Sequence, residues 1–410
     1  MRHTLHKLGE LALTNVATFA FPLVFAVVCG RTLGLHDYGI VAFYTALAAF
    51  LGVIVEFGFD WYGIREVSQN AASPAHGHKV LCNVTAARVL VCAAVLCCAG
   101  AALLALRGPA EAALMLPAAA HLVGFAFDAS WYVRALERTR LLLAITVVVR
   151  VLGIAVLVGL VVAAGDMAEA LWSYAFVTLA TSATTWLALQ RVGALRWSSI
   201  DRGYVRHLLH GAWAILVGNL SGALLTNGGV ALLGAFADPT VVGAANLALR
   251  VKMAGQAVLL PVQQLGYVRI AALAKAAPQR ALAVARQELT ALLGIAGVVA
   301  LAATWLAPWI TQVVFKAPVA NAVALISLLS LSIPVHAAAN LFGMQSLVAF
   351  GQERAYAAIL SVASVVFCAL LLLLPAPTAY GWSTVIAELL VMVACGLWMR
   401  RALALRGVAA

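Results

Sequence analysis

Nine ionisable residues lie inside long apolar segments of this 410-residue chain, where a charge is costly and usually serves a function. Arginine in such a segment suits phosphate or carboxylate, which it binds through two parallel hydrogen bonds. A carboxylate there is a candidate for binding a proton or a cation. The cations are Arg88, Arg150, Arg250 and Lys252, and the acids are Glu56, Asp60, Asp128, Glu288 and Glu388.

Helical phase groups these charges with other polar residues into stripes. At about 100° per residue, Lys252, Gln256 and Gln263 share one face of a helix, and Asn246 and Arg250 share another. Helix packing could explain each stripe alone, but together they predict a hydrated, cationic central cavity that suits an anionic cargo. Four further stripes are His121, Gly124, Asp128; Asn219, Gly222, Thr226, Gly229; Ser332, His336, Asn340, Gly343; and Gly381, Thr384, Glu388.

Enzyme chemistry finds no support in the motifs. The chain has no H-E-x-x-H pair, P-loop, G-x-S-x-G or G-x-G-x-x-G motif, and the acids between apolar segments are scattered singly. The seven cysteines lack metal-ligand spacing and are interpreted as small buried hydrophobes. We therefore expect a protein that is not an enzyme and needs neither a cofactor nor a metal.

The elements that carry these residues are predicted to be transmembrane helices. Hydrophobic residues make up 64% of the chain and charged residues only 10%, against about 25% charged in soluble domains. Each apolar run reaches the roughly 20 residues that span a bilayer as helix. The twelve predicted spans are 10–30, 39–59, 81–106, 112–132, 141–163, 169–190, 211–235, 243–265, 287–307, 319–343, 356–374 and 380–399.

Charge asymmetry predicts that both termini are cytoplasmic. With that orientation, nineteen Lys and Arg residues fall in inside segments and only Arg31, Arg107 and Lys316 fall outside. The net charge of +11 is thus a topology signal, and we expect no nucleic-acid partner. The long basic loop from Arg191 to His210 divides the chain into two six-helix lobes, residues 1–195 and 196–410.

Five motif segments occur at successive points along the predicted spans. They are Arg31-Thr32-Leu33-Gly34 with Asp37-Tyr38-Gly39; Glu56-Phe57-Gly58-Phe59-Asp60 with Arg65-Glu66; Trp131-Tyr132 with Glu137; Gly243-Ala244-Ala245-Asn246 through Pro261; and Gly351-Gln352-Glu353-Arg354-Ala355-Tyr356. In this order and at these spans, they resemble the Wzx-type polysaccharide flippases of the multidrug/oligosaccharidyl-lipid/polysaccharide exporter superfamily. Departures from the family pattern are Arg134-Ala135 after the aromatic pair and Gly381-Trp382 before the last span.

The resemblance implies a bacterial inner-membrane flippase with two six-helix bundles around a central cavity. Its cargo would be an undecaprenyl-pyrophosphate-linked oligosaccharide repeat unit for surface polysaccharide, and a polysaccharide polymerase and chain-length regulator would be further partners. The predicted headgroup ligands are Arg31, Arg88, Arg150, Arg250, Lys252 and Gln256. The predicted ion-coupling residues are Glu56, Asp128 and Glu388.

Three alternatives stay open. A drug/cation antiporter of the same fold would need a cavity dominated by acids. A membrane glycosyltransferase or polymerase would need a large outside loop. A non-transport component of a polysaccharide assembly complex would keep its complex when transport is lost.

Overall fold

The computed structural model describes residues 2–70, 73–108, 111–191, 193, 198, 200–274 and 276–404. All regular elements among these residues are helices, and none is a strand. Apolar segments take this form because a helix satisfies its own backbone hydrogen bonds in lipid. The predicted all-α membrane fold is therefore confirmed.

Two compact units make up the chain. One contains Met1–Leu33 and Ile40–Ala223, and the other contains Gly34–Gly39 and Leu224–Ala410. The helix Arg202–Ala223, which begins inside the predicted basic loop, groups with the first unit, and the lobe boundary at residue 195 stays a prediction. The helices before residue 224 are α1 (Arg2–Glu56), α2 (Phe59–Gln69), α3 (Pro74–Arg107), α4 (Ala112–Ala126), α5 (Ser130–Ala135), α6 (Thr139–Ala164), α7 (Met167–Arg191) and α8 (Arg202–Ala223).

The second unit contains the remaining helices and two π-helical segments. A π-helical turn widens the helix and breaks its regular hydrogen bonding, and such turns often occur at functional sites. These elements are the π-helical segment Leu224–Gly228, α9 (Gly229–Leu233), α10 (Pro239–Leu273), α11 (Pro278–Phe315), α12 (Ala320–Leu331), α13 (Ile333–Asn340), the π-helical segment Leu341–Leu347, α14 (Glu353–Leu373) and α15 (Ala379–Ala404).

Each of the twelve predicted spans lies mainly in helix. Within the described residues, nine helical segments are long and apolar enough to cross a membrane. The first of them, Ala20–Gln69, contains the second predicted span and the last part of the first. The predicted spans at 169–190 and 243–265 lie in α7 and α10, which have sufficient length but carry more polar side chains. The chain is thus a multi-pass membrane protein.

The first predicted outside turn is only a break within α1. Gly34 has φ 81° and ψ 177°, a backbone conformation that favours glycine, and the residues around it remain helical. The short segment after the break belongs to the second unit, where the Tyr38 hydroxyl donates to Asn246 Oδ1 over 2.9 Å. The turn motif therefore docks on the start of α10.

Aspartate side chains in loops cap the N-termini of two helices. Asp201 precedes α8, and its Oδ1 accepts hydrogen bonds from the backbone N–H groups of Gly203 and Tyr204. The Tyr204 N–H and the Lys79 ammonium, 3.3 Å from Oδ2, hold the pKa of Asp201 below its usual range. Asp238 caps α10 in the same way, with Pro239 in the first turn.

Candidate functional site

Arg88 is held inside the first unit by a carboxylate and two backbone carbonyls. Only 1% of its surface is exposed. One guanidinium nitrogen donates to Asp60, and the other donates to the Asp128 backbone oxygen over 2.7 Å and to the Phe125 oxygen over 3.4 Å. Those carbonyls are accessible because α4 ends at Ala126 and α5 starts only at Ser130. Arg88 therefore binds the carbonyls at the break between α4 and α5, and Asp60 compensates its charge.

The same cluster engages two of the predicted ion-coupling residues. Asp128 Oδ1 accepts from the Ser130 N–H over 3.1 Å and from the Ser130 hydroxyl over 2.6 Å, which closes the turn before α5. The Glu56 carboxylate is partly buried and interacts electrostatically with Arg88, Asp128 and Arg134. Arg134 also donates to Asp60 over 3.0 Å. The structure thus joins Glu56, Asp128 and Arg88 in one network.

Arg150 lies in the middle of α6 and has an aromatic neighbour in place of an acid. Its guanidinium carbon is 5.4 Å from the centre of the Phe21 ring, a cation–π distance. Phe21 belongs to an aromatic cluster with Phe25 and Tyr174. In the described part of the chain, Arg150 forms no ion pair with a carboxylate.

The stripe of His121, Gly124 and Asp128 is a packing seam for most of its length. The Ser182 hydroxyl of α7 donates to the Gly124 carbonyl over 2.6 Å, and the Thr178 hydroxyl lies 3.1 Å from His121 Nδ1. A Cβ on Gly124 would meet Thr178 at 2.8 Å. Small residues here let α4 and α7 approach closely. This stripe therefore gives no support to a wet face at His121 and Gly124.

Lys252 forms a buried ion pair in the second unit. Its Nζ is 2.7 Å from Glu388 Oε1, and the two side chains are 5% and 11% exposed. His336 Nδ1 approaches the same oxygen at 2.8 Å. Glu388 Oε2 is buried and has no hydrogen-bond partner among the described residues. Three of the predicted polar stripes, those of α10, α13 and α15, therefore meet at one carboxylate.

Arg250 meets an amide rather than an acid. Only 7% of the residue is exposed, and its Nη2 donates to Asn227 Oδ1 over 3.3 Å. Asn227 lies in the π-helical segment Leu224–Gly228, where Thr226 departs from helical geometry with φ −125° and ψ −108°. Arg250 and Lys252 thus have different partners, in agreement with the prediction that they lie on different faces of α10. No ion pair joins Arg250 to a carboxylate among the described residues.

The remaining predicted headgroup residues lie apart from these pairs. Arg31 is exposed, three residues before the break at Gly34. Gln256 is partly buried one helical turn after Lys252, and Gln263 is buried further along α10. Their roles as headgroup ligands stay predictions.

The sequence placed Asp60 and Glu288 among the acids of the apolar segments but could not show which residues surround them. Asp60 binds two arginines. Glu288 is buried against Gly266 of α10, and neither carboxylate oxygen has a hydrogen-bond partner among the described residues. Only knowledge of which helices are neighbours could have identified these contacts. Arg88 and Arg134 lie 28 and 74 residues from Asp60, and Gly266 lies on a separate helix from Glu288.

The comparisons with known proteins agree with the motif resemblance. The family described as polysaccharide biosynthesis protein matches residues 5–266. A putative O-antigen transporter of Escherichia coli (strain K12) is 22% identical over 371 residues, which are 90% of this chain and 89% of that protein. This match extends the similarity beyond residue 266, further along the second unit.

Two solved structures share the fold. An inward-facing MATE family transporter of the MOP superfamily has a TM-score of 0.76 at 15% identity, covering 98% of this chain and 99% of its own. The lipid II flippase MurJ, in an inward closed conformation, has a TM-score of 0.74 at 12% identity, covering 95% and 87%. At these identities the likeness establishes the fold alone.

Proposed function

The chain belongs to the polysaccharide biosynthesis protein family, and we propose from this membership that it moves a lipid-linked oligosaccharide across the membrane. It is a transporter rather than an enzyme, as expected from the absence of catalytic motifs. The fold is the one that MATE transporters and the flippase MurJ share. The name of the Escherichia coli relative supports an O-antigen type of cargo.

One observation carries the proposal of an anionic headgroup. Of the four cations predicted inside spans, Arg88 and Lys252 have carboxylate partners, whereas Arg150 and Arg250 form no such pair among the described residues. A charged residue inside a membrane costs about 2.5–3.5 kcal/mol on insertion scales. An anion that binds during transport offsets this cost. Two arginines inside spans with no carboxylate partner among the described residues therefore favour an anionic cargo.

The chemistry of arginine narrows the headgroup to phosphate-like groups. A guanidinium offers two parallel N–H donors that match two oxygens of a phosphate. The described partners of Arg150 and Arg250 are an aromatic ring and an amide oxygen, which are neutral and do not compensate the positive charges. We propose these two residues as the main headgroup ligands. Arg31 and Gln256 are proposed as further ligands. Arg88 and Lys252 bind a headgroup only if their ion pairs with Asp60 and Glu388 break.

The finer proposal follows the sequence predictions. The cargo is an undecaprenyl-pyrophosphate-linked repeat unit, which moves from the cytoplasmic to the periplasmic leaflet of a bacterial inner membrane. Both termini lie in the cytoplasm, as the charge asymmetry of the loops predicts. Glu56, Asp128 and Glu388 remain the proposed coupling residues. The central cavity and the association with a polymerase and a chain-length regulator stay predictions.

Complementation tests this function in cells. In a bacterial strain that lacks its O-antigen transporter and supplies a compatible repeat unit, Arg150→Gln and Arg250→Gln should each reduce surface polysaccharide while the protein reaches the membrane at normal abundance. Arg250→Lys should restore part of the activity, because a point charge cannot replace the two-pronged donor.

Arg134→Gln is the matched control, since this exposed arginine already binds Asp60. It should leave more activity than either Arg150→Gln or Arg250→Gln. Full surface polysaccharide with both arginines replaced would reject the headgroup role. If the wild-type protein transports cationic drugs but not the lipid-linked oligosaccharide, it is instead a drug/cation antiporter.

A further inference from the structure

A groove of about 820 Å³ opens within the second unit. It lies between the first turns of α11, the π-helical segment Leu341–Leu347 and the last turns of α15. Its volume falls in the range of about 300–1,000 Å³ typical of sites for small ligands. It is separate from Lys252 and Arg250, which do not line it.

The walls of the groove are apolar. Leu289, Phe342 and Met392 line its interior, and Leu397 is 55% exposed at its lip. Gly396 leaves space in the wall, because an added Cβ would meet the Phe342 ring only at 3.7 Å. Among the described lining residues, Ser346 is the one uncharged polar side chain. These walls fit a hydrocarbon chain and offer few hydrogen bonds to a sugar.

Two arginines line the same groove. Arg286 of α11 and Arg400 of α15 both have exposed side chains, and neither forms an ion pair within the described part of the chain. The nearby Glu288 packs against Gly266 of α10 and is not among the groove residues. The groove therefore combines apolar walls with two positive charges that no acid of the described residues neutralises.

The order of residues along α15 places the charged and the apolar parts of the groove at the depths of a lipid headgroup and its acyl chains. The Trp398 indole is partly exposed and donates to Gln352 Oε1 over 3.3 Å, and tryptophans of this kind concentrate at the membrane–water interface. Arg400 lies two residues further towards the helix end. Met392 lies eight residues before Arg400, or about 12 Å deeper at 1.5 Å per residue. The charges thus lie at headgroup level and the apolar walls at acyl-chain level.

We propose that this groove binds one anionic phospholipid of the cytoplasmic leaflet. Its phosphate pairs with Arg286 and Arg400, and one acyl chain lies along Phe342 and Leu397. The predicted orientation places this end of the unit in the cytoplasmic leaflet, whose anionic lipids are attracted to basic pockets between helices. A phospholipid fits better than the lipid-linked oligosaccharide, because the groove offers almost no polar groups for sugars.

Lipid binding to the purified full chain tests the site. Native mass spectrometry with phosphatidylglycerol and phosphatidylethanolamine should show preferential retention of phosphatidylglycerol by the wild type. Arg286→Gln/Arg400→Gln should weaken phosphatidylglycerol binding by about tenfold or more, since hydrogen bonds to charged groups contribute substantially. Gly396→Trp should reduce the binding of both lipids by filling the groove, and Gly396→Leu is the milder variant should the tryptophan impair folding.

Arg354→Gln is the matched control, because Arg354 is exposed, is predicted to lie at the same membrane face and is not a groove residue. It should bind phosphatidylglycerol as the wild type does. Equal retention of the two lipids by the wild type would overturn the proposal. The same conclusion follows if the double arginine variant keeps wild-type affinity or if Arg354→Gln loses as much. An equal concentration of undecaprenyl diphosphate could displace phosphatidylglycerol from the wild type but not from the double arginine variant. That result would reassign the groove to the transported lipid.

Discussion

Replacing Glu388 by glutamine removes the charge that compensates a buried ammonium. Lys252 Nζ lies 2.7 Å from Glu388 Oε1, and both side chains are almost completely buried. Breaking a buried pair by removing one partner costs about 3–5 kcal/mol. The glutamine oxygen can still accept a hydrogen bond, so we expect a loss near the lower limit, about 3 kcal/mol, in the free energy of unfolding.

Replacing Lys252 instead of Glu388 should cost less free energy of unfolding. In Lys252→Met the Glu388 carboxylate keeps its hydrogen-bond contact with His336, whose Nδ1 is 2.8 Å away. We expect a loss of about 2 kcal/mol, within the usual range for a hydrogen bond to a charged group. The double variant Lys252→Met/Glu388→Gln should lose less than both single changes together, with a coupling energy of about 2–3 kcal/mol.

Equilibrium unfolding in sodium dodecyl sulfate measures these differences, with Glu353→Gln as control. Glu353 is an exposed acid in the first turn of α14, so its replacement should cost less than about 1 kcal/mol. Single variants as stable as the wild type, or losses that simply add, would refute the buried-pair reasoning. Normal polysaccharide export by the double variant would further remove Lys252 from the headgroup site and Glu388 from ion coupling.

Three further predictions concern other parts of the chain. Gly266→Ala should destabilise the protein by about 1–3 kcal/mol because its Cβ would displace the buried Glu288 carboxylate, and Gly266→Ala/Glu288→Ala should recover most of this loss in the same unfolding assay. The folded-state pKa of Asp201 lies below the ordinary 3.8, so its carboxylate stabilises the protein above pH 3.8 and less as the pH falls through the folded-state pKa. Asp201→Asn should therefore lower the thermal midpoint at pH 7, and the difference from the wild type should shrink as the pH falls below 3.8; a difference that does not change with pH would contradict the assignment. Reporter fusions after Arg196 and Arg406 should be cytoplasmic and one after Lys316 periplasmic. A periplasmic signal at Arg406 would overturn the even number of spans.

The helices could be predicted from sequence because lipid imposes a simple rule on apolar segments. Runs of about 20 apolar residues must become helices, whatever their neighbours are. The break at Gly34 was harder to predict, because the turn motif around it resembles a loop while most of its residues remain helical. The motif indicated a turn between the first two spans but not how little of the helix that turn interrupts.

The candidate site could be predicted only in part, because helical phase shows which residues share a face but not which helices meet. It separated Arg250 from Lys252 correctly, and their partners lie on different elements. It could not show that Lys252 meets Glu388, 136 residues away, or that Asp60 neutralises Arg88. Nor could it distinguish the packing seam of Gly124 from a wet face, since small and polar residues serve both purposes.

Binding of undecaprenyl diphosphate to the purified protein tests the central claim most directly, because this lipid carries the headgroup without sugars. Arg150→Gln and Arg250→Gln should each weaken its affinity by about tenfold or more, the equivalent of one lost charge-assisted contact, while Arg134→Gln binds nearly as the wild type does. Unchanged affinity in Arg150→Gln and Arg250→Gln, with both proteins folded, would contradict the account of two membrane-embedded arginines reserved for an anionic cargo.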